Sequence, residues 1–245
     1  MPDPDGRSGT RPISAHKPTL LQDTQALYRK KLSATDGPIG HVSDFYFDDL
    51  LWVIRYVVVD TGSWLTGRLV LLSPHAFEKL DQRKDALQVN LSMKQIEDSP
   101  LISAHETVSR QFEEGYYRSY GWPAYWQGGR MWGYSGTPLV ASPLPEDIAD
   151  RKALEPPEDR HLESTQAVTG YKIQATDGSI GHVTGFHVDP ESWTIYELAV
   201  GLGHWQLGAP ILVPPEAIET VSFVEKKVFV KLTKAQVQAS RMSKT

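Results

Sequence analysis

The sequence predicts a mainly β protein: two small β-barrels from an internal duplication, joined by an aromatic-rich, largely irregular linker with some helix. Three observations lead there. The stretch ATDGPIGHV, Ala34 to Val42, returns as ATDGSIGHV, Ala175 to Val183. Sliding the chain by that same interval of 141 positions aligns residues 32 to 96 with 173 to 237 without a gap. Within each copy, apolar runs of strand length alternate with glycine, proline and aspartate punctuation. A repeat of about 70 residues is too long for a solenoid unit and long enough for a small domain.

The elements follow in order. Asp36-Gly37 and Asp177-Gly178 stand between apolar runs, which predicts tight hairpin turns whose glycine takes a positive φ. In the next strand the apolar residues are Ile39, Val42, Phe45 and Phe47, and in the other copy Ile180, Val183, Phe186 and Val188. Their spacing breaks alternation at the same places twice, and Gly40 and Gly181 inside the run favour a strand bent by bulges over a helix. Leu51 to Val59 and Trp193 to Val200 are the longest strand candidates. The first is apolar on both parities, as expected for a strand covered on two faces. Turns carrying Trp64 and Trp205 lead to strands at Arg68 to Leu72 and Pro210 to Val213. A proline then opens a single helical turn, Pro74 to Lys79 or Pro215 to Thr220. A last strand, Ala86 to Leu91 or Lys227 to Leu232, runs into a short helix, Met93 to Asp98 or Lys234 to Ser240. Five or six short, bent strands suit a closed barrel better than an open sandwich. Asp36, Gly37, Gly40, Trp52 and Trp64, with Asp177, Gly178, Gly181, Trp193 and Trp205, are read as turn and core residues.

The expected division is a flexible segment over 1–26, a barrel over 27–98, the linker over 99–166, a second barrel over 167–240 and a tail over 241–245. The composition, 40% hydrophobic and 22% charged in 245 residues, is that of an ordinary globular protein. Net charge is −5, with the acidic excess in the linker, where 6 basic residues face 10 acidic ones. No basic stripe of the kind that neutralises phosphates is present, so direct nucleic-acid binding is not expected. Cysteine is absent, which removes thiolate chemistry and disulfides. No window approaches the roughly 18 apolar residues of a membrane span, and the N-terminus has no signal-peptide core. A cytoplasmic location without integral membrane association is therefore expected.

These motifs resemble the PRC-barrel family. The first copy reads Asp36-Gly37-Pro38-Ile39-Gly40-His41-Val42, then a long apolar strand, then Asp60-Thr61-Gly62-Ser63-Trp64-Leu65. The likeness covers both repeats, a little over half the chain. In copy two Asp60-Thr61 becomes Gly201-Leu202 and Arg68 becomes Ala209, so polar contacts of copy one need not recur. The family includes the cytoplasmic part of the photosynthetic reaction-centre H subunit and the C-terminal domain of a ribosome maturation factor. The resemblance implies a docking or assembly module and carries over no catalytic motif.

Between the repeats, Tyr116, Tyr117, Tyr120, Trp122, Tyr125, Trp126, Trp132 and Tyr134 stand among glycines and a proline. They are candidates either for packing on the barrels of their own chain or a second copy, or for a partner-binding surface, since tyrosine and tryptophan combine area with a polar end. A helix is expected within Ser103 to Tyr120, and the acidic, proline-bearing stretch Leu144 to Glu163 is expected to be an exposed connection.

Candidate chemistry is sparse. The eight histidines show no H-x-x-x-H spacing, and although His182, His187, Asp177 and Asp189 could converge from a bent hairpin, copy one has Tyr46 where copy two has His187. Nucleophile-elbow, P-loop and dinucleotide signatures are missing. The expectation is a non-enzymatic docking or assembly module, without catalytic residues, metal, cofactor or small-molecule ligand, whose partner is another protein or a second copy of itself. The alternatives are a component of photosynthetic membranes like the H subunit, a ribosome- or RNA-processing-associated factor, and a small-molecule or metal sensor.

Overall fold

Each half of the chain can be traced from its Asp-Gly turn. The computed structural model describes residues 20–78, 80–81, 83–100, 108–128, 130–138, 162–202 and 210–239. In chain order the elements are β1 (Gln22–Asp23), α1 (Thr24–Leu27), β2 (Lys31–Ser33), β3 (Pro38–Asp48), β4 (Val53–Asp60), β5 (Leu69–Leu72), a 3-10 turn (Pro74–Ala76), β6 (Ala86–Gln88), α2 (Met93–Glu97) and α3 (Arg110–Tyr120). The later series is β7 (Leu162–Ser164), α4 (Thr165–Val168), β8 (Lys172–Ala175), β9 (Gly178–Val188), β10 (Ile195–Gly201), β11 (Ile211–Val213), a 3-10 turn (Pro215–Ala217), β12 (Ile218–Ser222), β13 (Lys227–Val230) and α5 (Lys234–Ala239). The protein is mainly β, with two sheets in the orders β5-β4-β3-β2-β6 and β11-β10-β9-β8-β13-β12. In both, the pairing that brings the last part of the unit back is parallel, β2 with β6 and β8 with β13.

The repeated aspartate does a different job from the one expected of it. Ala34 N–H donates to the Gly37 carbonyl at 2.8 Å, and Ala175 pairs with Gly178, so Thr-Asp lies at the centre of each turn. Asp36, Gly37 and Asp177 all keep negative φ, and only Gly178 is positive, at 127°. This corrects the reading of Asp-Gly as a primed turn. The carboxylates instead accept backbone N–H bonds from the far end of the unit: Met93 to Asp36 at 2.7 Å and Lys234 to Asp177 at 2.8 Å. Those donors open α2 and α5, where helix starts leave N–H groups unpaired. Ser92 with Gln95 and Thr233 with Gln236 complete the caps. A Cβ on Gly37 or Gly178 would lie 2.7 Å from the Met93 Sδ or the Lys234 Nζ, so the glycine makes room for the residue its neighbour holds.

The bent strands contain the expected bulges. The step from Val42 to Phe45 crosses an extra residue at Ser43, and that from Val183 to Phe186 crosses one at Thr184. A second bulge sits at Arg55 and at Tyr196. Gly40, at φ 128°, is where β3 passes closest to β4, for a Cβ there would lie 2.0 Å from the Asp60 carbonyl oxygen. Gly181 has the same relation to Gly201, at 2.1 Å. Two elements differ from expectation. The helical turns stop at Ala76 and Ala217, and Ile218–Ser222 pairs with β13 as a strand, Ile218 buried opposite Val230.

The halves are joined by reciprocal exchange. β1 pairs with β9, Gln22 opposite Val188, while β7 pairs with β3, Glu163 opposite Phe47. Each arm, a strand and a short helix, therefore lies on the other half's hairpin. The segments expected as a flexible start (1–26) and as linker (99–166) thus include residues 22–26 and 162–166, which are parts of the two arms. One carboxylate serves each arm: Asp23 caps α1 through Gln25 N–H at 2.9 Å, whereas α4 is capped by Ser164 and also meets Asp44 of the opposite sheet, bonded to Gln166 N–H at 3.1 Å and to the Ser164 hydroxyl. Burial raises the Asp44 pKa above the ordinary carboxylate value. The position matching Asp44 is Gly185, packed against Gln25.

At the hairpin ends Trp52 and Trp193 take positive φ, 55° and 60°. The Trp52 carbonyl accepts from Ile195 N–H at 2.7 Å and the Trp193 carbonyl from Ile54 N–H at 2.9 Å. Trp64 packs half-buried against the core, and Trp205 lies outside the described residues.

Asp36→Ala removes one cap and is expected to lower stability by about 1 kcal/mol. Gly40→Ala drives a side chain into backbone and should cost about 3 kcal/mol or more in urea unfolding. Equal losses from the two changes would contradict the assigned contacts.

Candidate functional site

The polar groups of the first sheet gather under the aromatic segment. Arg55 stands in an otherwise apolar strand, and the bulge at its own position brings both it and Tyr56 toward that segment. Its guanidinium is fully buried, bonds Asp48 at 3.3 Å and the Met131 carbonyl, and lies 3.9 Å from the centre of the Tyr125 ring and 4.9 Å from that of Trp132. Ring faces and a carboxylate thus replace the water lost on burial. Asp48 also accepts from Leu50 and Leu51 N–H, each at 3.0 Å, which fixes the turn that carries Trp52.

A second charged group comes from α3, capped by Ser109 and ended by Gly121. Glu113 is 3% exposed and accepts from Tyr56 at 3.0 Å, Tyr125 at 2.8 Å and Arg110 at 2.8 Å. Burial raises its pKa, and Arg110 and the two phenols oppose that rise. Tyr116 accepts from Ser73 N–H at 2.9 Å and donates to the Leu71 carbonyl at 3.0 Å, so α3 is bonded to the edge of β5. His75 is 2% exposed, bonds Ser73 Oγ through Nδ1 at 3.0 Å, and stacks on Trp122 with its edge against Tyr117 and Trp132. Burial, with Arg55 nearby, lowers its pKa from 6.5 to about 4.

The predicted aromatic candidates are brought together, but inward. Tyr116, Tyr117, Tyr125 and Trp132 are 0 to 2% exposed and Trp122 is 9% exposed, while Tyr120, Trp126 and Tyr134 are half-buried. As a partner-binding face the first five are therefore corrected: their rings cover the first sheet of their own chain. Trp132 extends the cover to the other half, donating its indole N–H to the Ser192 carbonyl at 2.7 Å. The helix expected within Ser103 to Tyr120 begins at Arg110, and residues 101–107 lie outside the described set. The acidic stretch Leu144 to Glu163 is outside it as well, except for Leu162 and Glu163 of β7.

Sequence reading missed Arg55, Glu113, Ser73 and His75. A signal existed for Arg55, since a cation inside a continuous apolar run must find partners. Among the described residues no three histidine or carboxylate groups gather as a metal site, and His187 is engaged with Glu197 at 3.1 Å. No described helix is long and apolar enough to cross a membrane. Compared with known proteins, the chain matches no family model and no curated protein sequence.

His75 sets a pH dependence. The folded protein holds it neutral down to about pH 4, while the unfolded chain takes up a proton near 6.5. Stability is therefore lost as pH falls from 6.5 to 4, by about 3 kcal/mol for this group. Glu113 works in the opposite direction, because its raised pKa makes the folded state the better proton acceptor. His75→Phe should flatten the loss of unfolding free energy between pH 6.5 and 4, and an unchanged slope would show that His75 is not the group responsible.

Proposed function

We propose that this chain is a tandem PRC-barrel protein and acts as a non-enzymatic module that holds a protein complex. The observation that carries this reading is exposure. The groups best suited to acid–base or nucleophilic chemistry, Glu113, His75 and Ser73, are 0 to 3% exposed and bonded to their own chain, so substrate has no route to them. The repeated aspartates Asp36 and Asp177, likewise, hold helix starts.

Support for the barrel reading comes from the shared strand order, the bulges at matching positions and the matching parallel pairings. Support for docking comes from the hairpin end of the first sheet. Leu50, Leu51 and Met131 are 63%, 37% and 36% exposed there, and the Asp48–Arg55 pair ties together the backbones that carry them. Apolar side chains held on a rigid base offer contact area at little ordering cost.

Affinity purification of the full chain from its native cells should recover a protein partner in stoichiometric amount. Leu50→Ser combined with Leu51→Ser should lose that partner with an unchanged melting temperature. Catalytic turnover by the purified chain with no macromolecule bound would sink the proposal.

A further inference from the structure

The turn after α1 contains a residue that the backbone disfavours. Arg29 has φ 61°, and its counterpart in the second half is Gly170 at φ 93°. The same bond fixes both, Arg29 N–H to the Val42 carbonyl at 2.9 Å and Gly170 N–H to the Val183 carbonyl at 2.8 Å. Left-handed backbone suits glycine and strains a residue with a Cβ, so the fold favours the residue found in the second half. An outlier of this kind points toward function when the side chain does nothing for the fold. The Arg29 side chain is exposed and makes no hydrogen bond or ion pair with the described residues.

It borders two adjoining clefts, of about 490 and 710 Å³, that share Arg29 and His41. The smaller lies where the two arms meet. Gln25, Tyr28, Ser43, Gln166 and Thr169 line it, with amides and hydroxyls from both halves of the chain. The larger adds Lys31. Lys30, by contrast, is committed to the Lys84 carbonyl at 2.8 Å. The acid nearest His41 is Asp60, 3.8 Å from its Nε2 and itself more than a third exposed. In the second half Gly170 and Gly201 replace Arg29 and Asp60, so this charged arrangement exists once.

We infer that the smaller cleft binds a small-molecule oxyanion, a phosphate or carboxylate group, held by the guanidinium of Arg29 with His41 beside it. The planar fork of arginine matches two anionic oxygens at once. The Gln166 amide already donates to the Ser43 carbonyl, the Thr169 hydroxyl to the Thr165 carbonyl, and the Tyr28 hydroxyl bonds that of Thr165, which leaves the side chains of Gln25 and Ser43 for the polar remainder of such a ligand. The cleft has the volume of a small-molecule site. This site goes beyond the docking role and does not depend on it.

The test is calorimetric titration of the full chain with inorganic phosphate and, separately, succinate, at ionic strength matched with chloride. One saturable site for either anion is expected, and the anion that saturates it tells phosphate from carboxylate. Arg29→Gly places the second half's residue at this turn, so it should melt at the same or a higher temperature while binding at least 10-fold more weakly. Arg29→Lys, which keeps charge without the fork, should fall between. Absence of saturable binding for both anions would overturn the inference, as would undiminished binding by Arg29→Gly. So would a lower melting temperature of Arg29→Gly without anion, since the arginine would then be serving the fold.

Discussion

Two left-handed tryptophans hold the protein together. Trp52 and Trp193 each end an aspartate-headed turn, and in this conformation their carbonyls meet Ile195 and Ile54 of the opposite hairpin. Such a backbone costs a bulky residue about 1 to 3 kcal/mol. The cost is offset by the two reciprocal hydrogen bonds, by burial of Trp193, and by the contacts of Trp52 with Phe47 and of Trp193 with Phe77. With the hairpins fixed end to end, each arm lies beside the other half's long strand, and β1 and β7 complete sheets that are not their own. A unit of this size buries little core alone, and the exchange gives each one apolar cover from its neighbour.

On that symmetric base the two halves diverge. Where the first sheet has Arg55, Tyr56 and His75, the second has Tyr196, Glu197 and Glu216. The first set requires a cover that supplies rings to the guanidinium and the imidazole, and the segment from α3 to Trp132 supplies it. In the second set Glu197 bonds His187 of its own sheet, and Glu216 is exposed to solvent. The density of aromatics in the linker is thus explained by the buried Arg55 and its partner Asp48 beneath it, which no single apolar layer would tolerate.

Much of this was legible in the residues. Apolar spacing located the long strands, and its breaks at matching positions foretold the bulges at Ser43 and Thr184. The prolines at the 3-10 turns and the short helices at the unit ends were also readable, because turn chemistry and side-chain alternation act over a few residues, whereas Gly40 and Gly181 were readable only as places where the strand could bend, not as close crossings of the next strand. The aromatic segment was recognisable as more than a spacer. Packing on its own barrels was one of the two readings the residues offered, and the choice between it and a partner-binding surface was not legible, since rings of this kind serve a core and a surface equally well, and the buried Arg55 and Glu113 that decide the matter are 58 positions apart.

Taken alone, the sequence determined the repeat, the strand positions, the bends and the glycines, all consequences of local backbone and side-chain constraints. Tertiary structure decided the partners. Asp36 and Asp177 looked like turn residues and prove to be caps for helices 57 positions away. Residues 22–26, expected within a flexible segment, prove to belong to an arm on the second sheet, while Arg29, which the sequence did not single out, proves to be strained and without a partner among the described residues beside a cleft. Local pattern specifies which face a residue presents and where the chain turns. Which distant group meets that face depends on how whole sheets dock, and that is set by the summed burial and hydrogen bonding of the complete fold.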